Sequence, residues 1–310
     1  MLVYGPVPSR RLGRSLGLNN IPYKYCSYSC IYCQVGRTTK MQVEPAVFYL
    51  PEELLRETKA RIEKVGADDH TVDYVSFVPD GEPTLDKNLG TLISMLRKEL
   101  RYPVAVITNG SMLWRKEVAE AVSLADWVSV KVDSVVESIW RRINRPDRRL
   151  EFPKVLEGIR TFASRYRGQL VSETMLVDRE NTNPSELAAL ADYLSGLSPQ
   201  TAYLSVPSRP PAQAGVRIPD AEQLNRAERA FEDADLNVSS LTEYEGDQFT
   251  VTADTAQDIL SIAAVHPLRE DALRRILEQS EADWGLVERL IAEGRLHKTL
   301  HDRKSYYRTV

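Results

Sequence analysis

Cysteine is nearly absent from this sequence: there are three in 310 residues, and all three lie between positions 26 and 33. An odd, tightly clustered set argues against a disulfide framework. Met1–Pro6 does not read as a signal peptide, so a reducing, cytoplasmic location is expected. Long apolar runs are missing as well. No segment approaches the roughly 18–20 consecutive apolar residues of a membrane span, so no membrane partner is expected. No internal repeats or low-complexity segments occur. Acidic residues are absent from the first 40 positions, which hold Arg10, Arg11, Arg14, Lys24, Arg37 and Lys40. That segment is +6 within a chain of net charge −4, so the remainder carries −10. Such a segment is either a solvated basic terminus or positive charge gathered around an anionic cofactor or substrate. The rest is ordinary globular composition, 43% hydrophobic and 27% charged. It suffices for one large α/β domain with a small module, or for two medium domains.

The three cysteines stand at a C-x3-C-x2-C spacing within Tyr25–Gly36 (YCSYSCIYCQVG). Thiols this concentrated form a ligand set for a soft metal centre. Ferredoxin-type 4Fe–4S clusters are held by four thiolates. Three thiolates therefore leave one iron open to something other than protein. The competing reading is a zinc knuckle, which wants four ligands, usually paired. The candidate fourth ligands, His70, His266, His297 and His301, are all distant in sequence.

Beyond this loop, short β-branched runs alternate with helical stretches. Strands are predicted near Arg14–Leu18 and at Asp73–Val78, Val104–Thr108, Trp127–Val132, Gln169–Val177 and Thr201–Val206. Helices are predicted over Pro51–Val65, Lys87–Leu100, Lys116–Ser123, Val135–Ile143, Pro153–Arg165 and Pro184–Leu194. Six strands separated by helices predict a parallel sheet with right-handed crossovers. In such sheets ligands gather at the carboxyl ends of the strands. The Pro-rich segment Ser208–Pro219 leads to a helix over Ala221–Ala234 and short strands at Asn237–Leu241 and Phe249–Val251. From Thr255 onward, three helices (Thr255–Val265, Glu270–Gln279, Asp283–Glu293) precede a hairpin of Leu296–Thr299 and Ser305–Thr309. That pattern predicts a winged helix.

The cysteine spacing, with Tyr32 before the last cysteine, resembles the signature of the radical SAM superfamily. Gly5–Gly13 (GPVPSRRLG), the cysteine loop and Gly81–Leu85 (GEPTL) look like one branch of it. That branch contains the wybutosine-forming tRNA enzyme and many uncharacterised Fe–S oxidoreductases. The resemblance covers residues 1–206. It implies an α/β fold, a partial (β/α)6 TIM-type barrel over 1–206. Beyond it, the element pattern predicts a linker or extension over 207–250 and a winged-helix domain over 251–310.

The resemblance also implies chemistry. One 4Fe–4S cluster would sit on Cys26, Cys30 and Cys33, and S-adenosylmethionine (SAM) would chelate the open iron through its amino and carboxylate groups. An electron from a donor such as flavodoxin or ferredoxin would cleave the C5′–S bond. The resulting 5′-deoxyadenosyl radical would take hydrogen from a substrate that no residue names, in an oxidoreductase or transferase reaction. The cofactors do this work and the protein orients and tunes them.

By the same resemblance, Tyr32 adjoins the cofactor and Gly81-Glu82-Pro83 receives the methionine ammonium, which suits a carboxylate acceptor. Asp80 stands where many relatives carry glycine. Asn109 and Ser111 are candidates for ribose or carboxylate contacts, or form an ordinary Asn-Gly turn. Strand alternation puts Ser129, Lys131 and Asp133 on one face, where Lys131 and Asp133 either meet SAM or pair with each other. Glu173, mid-strand, is expected to face SAM or substrate. Arg10, Arg11 and Asn181 are substrate candidates. The two arginines could instead brace the cysteine loop. Arg179 replaces a glycine of the family pattern beside Asn181.

Two features narrow the expectation. All three cysteines are used by one cluster, so a second cysteine-bound cluster, as expected in the wybutosine-forming enzyme, is excluded. From Thr255 to Val310 there are nine Lys/Arg and nine Asp/Glu, and the third helix carries Asp283, Glu288 and Glu293 against Arg289. Nucleic-acid readers depend on phosphate neutralisation, so a protein or peptide partner, or a lid over the barrel, is favoured there over nucleic acid. His297 and His301 on the hairpin read as surface residues. Alternatives are a glycyl-radical-enzyme activase, an RNA-modifying enzyme and, in another class, an Fe–S-dependent winged-helix regulator.

Overall fold

Apolar residues at consecutive positions of short segments force a sheet covered on both faces. The computed structural model describes residues 2–67, 72–242, 249, 254–301 and 304–309. The chain opens with β1 (Val3–Ser9) and β2 (Gly13–Leu18), followed by two-residue strands β3 (Tyr25–Cys26) and β4 (Lys40–Met41). Then come α1 (Pro51–Ala67), β5 (Tyr74–Phe77), α2 (Leu89–Glu99), β6 (Val104–Thr108), α3 (Lys116–Val122) and β7 (Trp127–Lys131). Next are α4 (Glu137–Asn144), α5 (Phe152–Arg165), β8 (Gln169–Met175), α6 (Pro184–Ser195), β9 (Thr201–Ser205), α7 (Ala221–Glu232) and β10 (Val238–Leu241).

The main sheet has the order β1-β2-β5-β6-β7-β8-β9-β10. From β2 onward every pair is parallel, and β1 alone runs antiparallel. Chain order and spatial order coincide, so the sheet has no point of reversal and curls into a half-barrel. Its buried side chains (Leu16, Val75, Phe77, Val106, Val128) share one core with Leu92, Ile93 and Leu96 of α2 and Ile159 and Phe162 of α5. Each such side chain contributes about 1.5–3 kcal/mol when fully buried.

The sheet has eight strands where six were predicted. Gly5, Pro6 and Pro8 hide the periodicity of β1, and its register slips between Tyr4 and Val7. Proline is tolerated there because β1 is an edge strand. At the other edge β10 pairs with β9, so the sheet continues past residue 206. The strand predicted over 249–251 lies, apart from Phe249, outside the described residues.

The C-terminal part comprises α8 (Thr255–Val265), β11 (Leu268–Arg269), α9 (Glu270–Gln279), α10 (Gly285–Ala292), β12 (His297–His301) and β13 (Lys304–Arg308). Its three strands form an antiparallel sheet of order β11-β13-β12. In α9, Ala272, Leu273, Ile276 and Leu277 are buried while Arg274, Arg275 and Glu278 are exposed, the one-sided stripe of an amphipathic helix. These residues join Ile259, Ile262, Val287, Leu290 and Tyr307 in a second core, against which Val7 of β1 also packs. Arg61 ties the two parts together, donating to Gly5 O at 2.6 Å and to Asp258 Oδ1 at 2.9 Å. Among the described residues no helix is long and apolar enough to cross a membrane.

Candidate functional site

The cysteine loop leaves the carboxyl end of β2 and is closed by the pairing of Tyr25 and Cys26 with Lys40 and Met41. Three neighbouring strand or helix ends hold it. After β5, Glu82 N donates to Tyr25 O at 3.0 Å, while Lys24 N donates to Asp80 O at 2.9 Å. This approach demands glycine between them, because a Cβ on Gly81 would stand 1.9 Å from Tyr25 O. At the end of α4, Ile143 O and Asn144 O accept from Ile31 N (2.9 Å) and Ser29 N (3.0 Å). After β6, Asn109 Nδ2 donates to Ser27 Oγ at 2.9 Å, and Ser111 Oγ meets the same hydroxyl at 2.7 Å.

All three cysteines line one cavity of ≈ 320 Å³ at the carboxyl ends of the strands. Each sulfur accepts from a nearby donor. Tyr28 N (3.4 Å) and Asn109 Nδ2 (3.8 Å) reach Cys26 Sγ, Asn144 Nδ2 reaches Cys30 Sγ at 3.5 Å, and Lys24 Nζ reaches Cys33 Sγ at 3.2 Å. Burial, more than any neighbouring charge, raises the pKa of Cys26 and pushes Cys30 up to about 12. Bound metal reverses that tendency, since its charge deprotonates a coordinating thiol outright. Among the described residues no three His, Cys, Asp or Glu groups converge on a point fit for a single metal ion. Three thiols round one cavity, each with a donor to its sulfur, fit the larger span of an iron–sulfur cluster.

Glu82 is buried beside them. Its Oε1 accepts from Thr84 N (3.1 Å), Thr84 Oγ1 (2.6 Å) and Thr108 Oγ1 (2.6 Å), and Oε2 accepts from Asn109 N (2.8 Å). Burial raises its pKa, and these four donors pull it back. Asp80 is pushed up to about 7 by burial, with Lys24 opposing.

The opposite wall is charged. Glu173 on β8 pairs with Arg11 through Oε2, and its Oε1 accepts from Lys131 Nζ at 2.9 Å and Ser205 Oγ at 3.1 Å. The parallel register places Lys131 directly beside Glu173. Burial lowers the pKa of Lys131, with Asp133 opposing. At the rim, Arg209 donates from Nη1 to Gln34 Oε1 at 2.7 Å and lies 2.9 Å, through Nη2, from His266 Nε2. His266 follows α8, so the C-terminal part supplies a piece of the wall.

A family model of the radical SAM superfamily matches residues 20–193, the stretch from just before the cysteine loop to within α6. The chain belongs to the radical SAM superfamily. Membership implies an iron–sulfur cluster and SAM. The UPF0026 protein MJ1312 of Methanocaldococcus jannaschii is 40% identical over 308 residues, 99% of this chain and 95% of that protein. A radical SAM methyltransferase from Sphaerobacter thermophilus matches with TM-score 0.58 and 16% identity, over 74% of this chain and 66% of the methyltransferase. SuiB of Streptococcus suis bound to S-adenosylmethionine matches with TM-score 0.53 and 14% identity, over 78% of this chain and 52% of SuiB. At those identities the likeness is one of fold.

Within this radical SAM protein, Cys26, Cys30, Cys33, Tyr32, Gly81, Glu82, Asn109, Lys131, Glu173, Arg10 and Arg11 all border the cavity. Pro83, Ser111, Asp133 and Asn181 stand behind its wall. Pro83 opens a buried 3-10 turn and its carbonyl accepts from Asn20 Nδ2 at 3.1 Å. Asp133 does not pair with Lys131. It accepts from Tyr32 OH, from Asn144 Nδ2 (2.6 Å) and from Met175 N (2.9 Å), because β7 ends at Lys131 and the alternation lapses beyond it. Asn181 is occupied by backbone, donating to Asp133 O (2.8 Å) and Met175 O (2.9 Å) and accepting from Val177 N (2.9 Å). Sequence reasoning missed Asn144, Arg209 and the sulfur contact of Lys24. Asn144 carried no signal beyond a helix end. Lys24, two positions before Cys26, carried the signal of basic charge beside the loop.

Proposed function

We propose that this radical SAM enzyme holds one 4Fe–4S cluster on Cys26, Cys30 and Cys33, binds SAM in the adjoining cavity and abstracts hydrogen from a substrate bearing an anionic group. The carrying observation is the sharing of one cavity by three donor-supplied thiols, Glu82 and the Arg11–Glu173–Lys131 wall. When bound and reduced by one electron, from a donor such as flavodoxin or ferredoxin, the cluster and SAM supply a 5′-deoxyadenosyl radical. Glu82 Oε2 accepts one protein donor and keeps capacity for a cationic amino group. Asn109 and Lys131 border the same space with donors for a carboxylate or ribose. Arg10 and Arg11 add positive charge where a substrate anion would enter, which makes an anionic substrate the favoured class.

The helices α8–α10 and strands β11–β13 are read as a winged helix serving as a lid or a protein-docking module. Support comes from His266 at the cavity wall and from Tyr306 OH, which donates to Ser208 O at 2.9 Å beside the rim. The acidic balance around α10 disfavours nucleic acid. Whether the reaction is an oxidoreduction or a transfer follows from the substrate.

Anaerobic reconstitution with iron and sulfide, followed by dithionite and SAM, tests the proposal. Formation of 5′-deoxyadenosine is expected. Its absence from a preparation with an intact cluster would sink this reading.

A further inference from the structure

The three sulfurs are served unequally. Cys26 accepts from a backbone N–H and a neutral amide, and Cys30 from the neutral amide of Asn144. Cys33 alone among them accepts from a cation, Lys24 Nζ at 3.2 Å. Lys24 is buried, so its ammonium acts on that sulfur through protein rather than through water.

Its backbone is fixed to aim it there. Lys24 adopts φ 58°, a left-handed conformation that side-chain-bearing residues rarely take. Four hydrogen bonds hold it: Lys24 N donates to Asp80 O at 2.9 Å, and Lys24 O accepts from Thr39 N and Lys40 N, both at 3.2 Å, and from Thr39 Oγ1 at 3.3 Å. A glycine would adopt this backbone without strain but would deliver no charge. Asp80 interacts electrostatically with the ammonium, and its buried Oδ1 has no hydrogen-bond partner.

We propose that Lys24 is a positioning residue for the cluster. Through its charged hydrogen bond to Cys33 Sγ it favours the reduced, more negative state and sets the reduction potential. This rests on the cluster assignment above. Hydrogen bonds to sulfur and local charge are established determinants of such potentials. An added electron puts negative charge on the core, and a cation at one corner stabilises that form more than the oxidised one.

The test is a mediated redox titration, followed by electron paramagnetic resonance, of wild type, Lys24→Met and Lys24→Arg, each with iron and sulfide content measured. Lys24→Met is expected to lower the one-electron reduction equilibrium at least tenfold, a shift of about 59 mV to more negative potential. Lys24→Arg, which keeps the charge, is expected to show less than half of that shift. A Lys24→Met protein with a full cluster and the wild-type potential overturns the proposal. Equal shifts in Met and Arg overturn it too, since they would report packing rather than charge. Should Lys24→Met fail to hold iron, Lys24→Gln keeps an N–H donor and loses only the charge. It carries the same expectation, and a wild-type potential there overturns the proposal. A wild-type protein that binds no cluster would instead defeat the cluster assignment itself.

Discussion

On the side of the cavity where the cysteine loop docks, polar groups answer one another mainly through neutral side chains and backbone. Asn109 meets Ser27, Asn144 meets Cys30, and Thr84 and Thr108 satisfy Glu82. On the opposite wall the contacts are ionic: Arg11 and Lys131 share Glu173. Short neutral contacts have one satisfactory geometry and respond little to salt. Ion pairs are non-directional by comparison, and a ligand of the right sign can exchange with one partner. The first side thus offers contacts of fixed geometry, and the second offers charges that a ligand can exchange with.

Substitutions can break this contrast or sharpen it. The largest effect is expected for Cys30→Ala, which should reduce bound iron to background and abolish 5′-deoxyadenosine formation. Surviving cleavage would mean that the loop does not hold the cluster. Next is Glu173→Ala, which leaves Arg11 and Lys131 without their shared carboxylate. Removing one member of a buried ionic group costs about 3–5 kcal/mol. A clear fall in thermal midpoint is expected, partly recovered by added carboxylate or phosphate, and no recovery would remove the case for an anion site. Gly81→Ala probes the neutral side. Its new Cβ would overlap Tyr25 O, and such overpacking typically costs about 1–3 kcal/mol. Here the midpoint should fall without recovery by anions, together with poorer cluster retention.

A smaller effect is expected from Asp80→Asn, and it depends on pH. Burial raises the Asp80 carboxyl from its ordinary 3.8 to about 7. Its folded pKa therefore exceeds its unfolded one, so its stabilising contribution is complete below pH 3.8 and is lost as pH rises through 7. Asp80→Asn should flatten the dependence of midpoint on pH across this window, with its advantage over wild type largest above pH 7. An unchanged slope would show that Asp80 does not titrate there. The smallest change is Ser111→Ala, which removes one hydroxyl contact behind the wall at a cost of about 1 kcal/mol. It should leave SAM cleavage intact.

The two sides of the cavity also differed in how far they could be read beforehand. Cys26, Cys30 and Cys33 announce themselves by spacing, because local chain geometry dictates where a loop places its ligands, and Gly81-Glu82 was picked out by resemblance to a family motif. The six central strands were legible for a similar reason: runs such as VAVIT and WVSVKV have no alternative to burial. The ionic wall is a product of register. Lys131 lies beside Glu173 only because β7 and β8 pair in parallel with those residues opposed. Nothing local to either strand specifies that, and of the two alternatives open for Lys131 and Asp133, a contact with SAM or a mutual pair, the register removes the second. Asn181 was named by its match to a family loop pattern, and in the fold both of its amide N–H groups and one acceptor position are taken by backbone, which the sequence did not signal. Strand β1 was concealed by the glycine and prolines that its edge position permits.

That edge position bears on aggregation. An edge strand exposes unpaired N–H and C=O groups on which a second chain can template. In β1 the register break and Pro6 and Pro8 blunt this hazard, the guanidinium of Arg61 occupies Gly5 O, and α8 packs alongside. The shield belongs to the last part of the chain, so during synthesis β1 waits for α8 to emerge before it is covered. Removing α8–β13 should therefore expose β1 and promote self-association, read as a shift to larger species in size-exclusion chromatography.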